Sequence, residues 1–171
     1  KSISEKLEKG LKKKVLKHAL NSHGVLCHSQ FQFDMVRLGL GLYGVCLDEK
    51  FQGSLQQVAK LRTSITQIHT IKSGESVGYG RSYRATKKTR IATIPIGYAD
   101  GMRRDLGNSS FQVEISGQLF PVVGNICMDM CMIDVGEAQV NVGDEVSIFG
   151  GLQSLEAVSY THLRAHETDY Y

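Results

Sequence analysis

The chain has 171 residues, 42% of them hydrophobic, enough for one ordinary core or a small domain with a piece of another. Its net charge of +3 is mild, and Lys12-Lys13-Lys14 carries no interleaved aromatics, which favours a solvated helix end or strand start over a nucleic-acid surface. No apolar stretch approaches about 20 residues, so no membrane span is expected, and Lys1-Ser2-Ile3-Ser4-Glu5-Lys6 lacks the apolar region of a signal peptide.

Ser4, ahead of Glu5-Lys6-Leu7-Glu8, reads as an N-cap, and Gly10 as the stop of a short helix. Residues 15–20 read as a strand ending at Asn21-Ser22, and 35–44 as a second apolar segment that runs into glycine. A helix with two such segments is βα organisation, with functional groups expected at the strand C-terminal ends. After Gly44 the character changes. Strand candidates at 61–71, 90–95, 112–115, 119–123, 127–135 and 145–149 alternate with glycine-bearing turns at 72–75, 116–118 and 142–144. That spacing suits an antiparallel barrel or sandwich, and it puts the domain break near 45–52. The fold expected is the remnant of an α/β barrel followed by a mainly antiparallel β-domain. Cys27, Cys46, Cys127 and Cys131 lack disulfide-scaffold density and metal-ligand spacing, so buried free thiols in a reducing compartment are expected. From Val158 to Thr168 neither period is present, and the residues read as the translation of a transposase-type sequencing adapter. Residues 158–171 are therefore expected to be a non-native tail.

Two tyrosines sit in unusual surroundings. Tyr79 lies between glycines in Val77-Gly78-Tyr79-Gly80-Arg81-Ser82-Tyr83, and Tyr98 follows in Ile94-Pro95-Ile96-Gly97-Tyr98-Ala99-Asp100-Gly101. A phenol with so little bulk around it can project into a cleft as a proton-transfer group. Taken alone, Gly-Tyr-Gly favours an aromatic at a turn.

Five ordered motifs decide between those readings: His18-Ala19-Leu20-Asn21-Ser22, the run from Asp34 to Gly44, Val77-Gly78-Tyr79-Gly80, the run from Ile94 to Gly101, and the run from Val123 to Met132. Together, over about 15–157, they resemble alanine racemase. The resemblance implies a (β/α)8 barrel ending at 45, which binds pyridoxal 5'-phosphate, and a racemase β-domain over 46–157. It implies interconversion of L-alanine and D-alanine for peptidoglycan, in a cytoplasmic homodimer whose site is shared between subunits. It implies no metal, nucleic-acid or membrane partner.

Roles follow from the same resemblance. Arg37 faces the pyridine nitrogen of the cofactor; a permanently charged guanidinium there keeps that nitrogen unprotonated and weakens the electron sink, which suits racemisation. His18 orients Arg37. Ser22, through its hydroxyl, and Gly39 and Leu40, through their main chain, hold the phosphate at the loops where barrel enzymes often bind it. Tyr79 is the catalytic acid–base on one face of the substrate Cα. Because a free phenol titrates near about 10, it needs positive charge or hydrogen bonds to work near neutrality. Tyr98 and Arg104 line the substrate path, the main chain of Met128 meets the substrate carboxylate, and Asp129 lies beside it. Asn125 stands where some members carry arginine, a departure that bears on the charge of that path and not on the chemistry. No lysine here matches the Schiff-base motif, which lies upstream in the family, so the chain alone is expected to be inactive. In some bacteria the racemase follows a cell-wall precursor ligase. The alternatives are a racemase of other specificity, a non-catalytic β-domain for oligomerisation, and a decarboxylase of similar architecture. Arg37 disfavours the last, because a decarboxylase needs a carboxylate at the pyridine nitrogen.

Overall fold

A computed structural model describes residues 2–46 and 48–155, which form two compact units, one up to Val58 and one from Ala59 onward. The expected tail at 158–171 and the end of the expected β-domain lie outside the described residues. The contacts place the break at Val58, after the expected 45/46. The reason is local: Cys46 N–H donates to Gln52 Oε1 at 2.7 Å and Gln52 Nε2 donates to Gly44 O at 3.0 Å, which tie 46–58 back onto the first unit.

In the first unit, helix α1 spans Ser2–Leu11, beyond both the N-cap and the stop expected at Ser4 and Gly10. Its end is set by Lys12 at φ +50°, with Lys13 N–H reaching back to Glu8 O at 3.3 Å, a Schellman-type stop. Glu8 then ties the helix to the next segment, accepting from Val15 N–H and from Lys17 Nζ at 2.8 Å. Helix α2 (Ser22–Cys27) is capped by the Asn21 side chain, which accepts from Gly24 N–H, and a short helix α3 (Glu49–Gln52) follows an Asp48 cap. The strands expected over 15–20 and 35–44 are not regular. They meet in one parallel bridge, His18 with Met35, extended by Arg37 N–H donating to Leu20 O at 2.8 Å, and 40–43 coils into a 3-10 turn. Parallel pairs are stable when strands flank them and both faces are covered. Among the described residues no further strand flanks this pair.

The second unit is a sheet of seven strands plus a two-stranded ribbon. The strands are β1 (Leu61–Ser64), β2 (Gln67–Ile71), β5 (Thr89–Ile94), β6 (Gln112–Ile115), β7 (Gln118–Val123), β8 (Cys131–Gly136) and β9 (Glu145–Phe149), in the order β1-β9-β6-β7-β8-β5-β2. Every pairing is antiparallel. The outermost strands of that order, β1 and β2, are joined by Ile65 and Thr66 alone. Two residues span only about 7 Å, so the sheet must curl until its ends meet. Inside the curl lie Ile65, Ile94, Val113, Ile115, Val122, Ile133 and Val146, each essentially inaccessible. The expected single strand at 61–71 is thus two strands, broken at that joint. The strand expected at 127–135 begins only at Cys131, because 124–130 is a loop in which Cys127 N–H donates to Met130 O at 2.9 Å.

Ribbon strands β3 (Ser76–Val77) and β4 (Tyr83–Arg84) lie on the other face of the sheet. There Val77 and Tyr83 pack on a separate buried cluster of Ile91, Val123 and Met132. Asp134 fastens the ribbon: it accepts from Tyr83 Oη and Thr89 Oγ1, both at 2.5 Å, and from Gly136 N–H. Burial, then the hydrogen bond to Asp134 and its charge, push the Tyr83 phenol up to about 12.

Candidate active site

The site residues expected from sequence fall into two groups, one in each unit. In the first unit, Ser22, Arg37, Gly39 and Leu40 line one cavity of about 490 Å³, together with Asn21, His23, Val25, Leu26, Leu38, Gly41, Val45, Cys46 and Leu55. Its floor is organised by a hydroxyl. Ser22 Oγ accepts from Gly39 N–H at 2.8 Å and from Gly41 N–H at 3.2 Å. A hydroxyl that accepts twice still has its one proton to give, so Ser22 is set up to donate to an anion in the cavity. A Cβ at Gly39 would meet nothing within 4 Å, so the chain here opens onto free space. Arg37 donates from Nη2 to Ala19 O at 3.4 Å, which leaves most of its fork of donors for a ligand. A phosphate wants N–H, O–H and cationic partners together, and this donor set fits one.

His18 does not join them. The bridge register puts His18 and Arg37 on the same face of the pair, yet the guanidinium reaches the Ala19 carbonyl, and no hydrogen bond links the two side chains among the described residues.

In the second unit, Tyr79 caps the ribbon turn, 72% exposed. The turn requires its glycines: Gly78 has φ +74° and Gly80 φ +69°, where a side chain is strained. Tyr98 and Arg104 come together, the Arg104 guanidinium carbon lying 5.6 Å from the Tyr98 ring centroid, within cation–π range. Met128 sits directly behind Tyr98. Tyr98 N–H donates to Cys127 O and Ala99 N–H to Met128 O, both at 3.0 Å. A Cβ on Gly97 would lie 2.3 Å from Met128 O and 2.4 Å from Cys127 O, so only glycine permits this approach. The Met128 N–H has no hydrogen-bond partner among the described residues. Asp129 is exposed at the tip of the same loop.

One residue of this group escaped the sequence reading as a contributor. Asn125 registered there only as a replacement for arginine, but its Nδ2 donates to Tyr79 O at 2.8 Å. The 124–130 loop therefore bonds to both tyrosine-bearing turns. The signal in sequence was the position of Asn125 inside a motif of other site residues.

Comparison with known proteins gives these arrangements a family. The pattern described as "Alanine racemase, C-terminal domain" matches residues 58–169, and that described as "Alanine racemase, N-terminal domain" matches 1–46. An alanine racemase of Treponema denticola is 45% identical over 136 residues, 78% of this chain and 35% of that protein. The solved alanine racemase of Clostridium difficile 630 superposes with a TM-score of 0.82 at 36% identity, covering 92% of this chain and 43% of that one. That of Bartonella henselae, solved with covalently bound pyridoxal phosphate, gives 0.78 at 34% identity, covering 94% and 46%. The chain thus spans about two-fifths of the length of the relatives it matches. With matches running through both units, and one of them over more than half its length, the chain belongs to the alanine racemase family.

Proposed function

We propose that the protein to which this chain contributes interconverts L-alanine and D-alanine with pyridoxal 5'-phosphate, as a cytoplasmic homodimer that supplies D-alanine for peptidoglycan. The observation that carries the reading is the 124–130 loop, which braces Tyr79 through its carbonyl, backs Tyr98 and offers the unpaired Met128 N–H. A proton-transfer phenol, an aromatic with a cation beside it and a carboxylate-binding N–H are what α-proton exchange on an amino acid demands. When bound, the cofactor acidifies the Cα–H of the amino acid joined to it.

The residues of the chain do the rest. Ser22 Oγ and the Leu40 N–H would hold the phosphate, the Gly39 N–H expected to join them being taken by Ser22 Oγ, and Arg37, charged at any ordinary pH, would face the pyridine nitrogen and keep it unprotonated. Met128 N–H meets the substrate carboxylate with Asp129 beside it, and Tyr98 and Arg104 line the path to it. Tyr79 removes or returns the Cα proton on one face, acting in the partner subunit's pocket. The opposite face requires a second base that this chain does not supply by resemblance, so the chain alone, given L-alanine and pyridoxal phosphate, forms no D-alanine.

The test is Tyr79→Phe in the full-length protein, with D-alanine and L-alanine formation followed separately. Loss of about 10²- to 10⁴-fold in turnover is expected, the contribution typical of a general acid–base. Undiminished turnover would exclude the reading and leave a non-catalytic oligomerisation domain as the better description.

A further inference from the structure

The turn that carries Tyr79 has little to hold it still. Gly78, Gly80 and Arg81 all sit at positive φ, the last at +50° without being glycine. Within the turn Arg81 N–H donates to Gly78 O at a long 3.3 Å, and the Tyr79 side chain makes no hydrogen bond among the described residues. From outside the ribbon comes Asn125, whose Nδ2 reaches the Tyr79 carbonyl at 2.8 Å and lies 3.6 Å from where a Gly80 Cβ would be.

The Tyr79 carbonyl can only accept, so the NH₂ of Asn125 faces it, and a third residue takes the other end of the amide. Asn108 Nδ2 donates to Asn125 Oδ1 at 3.2 Å. Asn108 is itself held, at φ +55°, by its N–H donating to Gly124 O at 3.0 Å. The chain of contacts Asn108–Asn125–Tyr79 therefore begins and ends on main chain. Two residues beyond Asn125, the same loop fastens the Tyr98 turn.

We propose that Asn125 is a positioning residue for the proton transfer. It fixes the Tyr79 turn in register with the loop that presents Met128, and Asn108 holds the oxygen end of its amide. The inference rests on the reading of Tyr79 as the acid–base and says how that phenol is aimed. A donor is what the position requires. Asn125→Asp keeps the shape but turns a carboxylate oxygen on the Tyr79 carbonyl, and Asn125→Ala leaves the turn unbraced.

The experiment uses the full-length holoenzyme. Because L- and D-alanine are equal in energy, kcat/KM must fall equally in both directions. A loss of about tenfold, carried by kcat with KM little changed, is expected for Asn125→Ala and Asn125→Asp from a small misplacement of a reacting group. The isotope effect separates aim from general damage. With Cα-deuterated alanine it rises for the enantiomer whose proton Tyr79 removes and falls or holds for the other, whereas a merely loosened fold changes neither. Hydrogen exchange at the Arg81 amide quickens in the same variants. Unchanged kcat, isotope effects and exchange, in a protein that Tyr79→Phe inactivates, overturn the role of Asn125 and leave that of Tyr79 intact. Full activity of Tyr79→Phe overturns both. Should the Asn125 variants fail to fold, Asn108→Gly removes the bond to Asn125 Oδ1 at a positive φ that glycine accepts without strain, and its being silent in all three measurements counts against the proposal.

Discussion

The two units treat apolar side chains in opposite ways. From Ala59 onward the curled sheet hides its large aliphatics, Ile94, Val113, Val122 and Ile133 all at zero exposure. Up to Val58 the buried apolar residues among those described are Leu20, Val45 and Cys46, while Leu16, Phe31, Met35, Leu38 and Leu42 are each more than 40% exposed. The difference follows from strand pairing. An antiparallel sheet curled until its two end strands share a corner pairs its inner strands and builds its core within one segment of chain. A parallel pair made by one bridge needs neighbours on both sides. The lesson is that a functional site and a stable core are not the same possession. The first unit keeps the cavity and its donors without the packing, while the second has both.

The sharpest way to break that contrast is to cut into each unit equally. Ile133→Ala, in the closed core, is expected to cost about 2–5 kcal/mol. Leu16→Ala, on the exposed face, stays within about 0.5 kcal/mol. Urea denaturation of the chain followed by circular dichroism measures both; equal losses would mean that the first unit has a core of its own. Next in size is Asp134→Ala, which strands the buried Thr89 hydroxyl and releases Tyr83, for about 1–3 kcal/mol in the second unit.

Alkaline titration probes the same contrast without mutation. Tyr83 and Cys131 are both pushed up to about 12, Cys131 by burial first and then by Cys127. A group whose folded pKa is raised stabilises the fold below its unfolded value and loses that contribution as pH climbs through the folded one. The second unit should therefore weaken between about pH 9 and 12, the ordinary thiol and phenol titrating near 8.5 and about 10. A first unit weakening in step would sink the assignment. The smallest effect belongs to the first unit. Its Glu8–Lys17 pair, at 2.8 Å, lowers the Glu8 pKa and raises that of Lys17, chiefly through their mutual hydrogen bond. Glu8→Gln should shift the melt only slightly, and less in high salt.

Sequence reading recovered the second unit best where alternation and turns agree: 112–115 and 145–149 were legible residue for residue. It failed at 127–130, where Cys127, Met128 and Met130 are apolar enough to read as strand, yet main-chain bonds to the 97–99 turn hold them as loop. It failed at 15–20 because strand pattern is necessary for a parallel pair and not sufficient. The cavity-lining residues Ser22, Arg37, Gly39 and Leu40 were legible through motif, and the structure adds how Ser22 is wired to its neighbours. Motif marked the position of Asn125 but not the bond it makes. A side chain that bonds a carbonyl 46 residues away leaves no local trace.

The ribbon that bears Tyr79 rests on its own small cluster, Ile91, Val123 and Met132, which shares no residue with the interior cluster. That separation matters for how such a domain changes over generations. Substitutions inside the curl can trade volume among themselves while the outer platform stays put, so the interior is free to drift and the ribbon turn keeps its station.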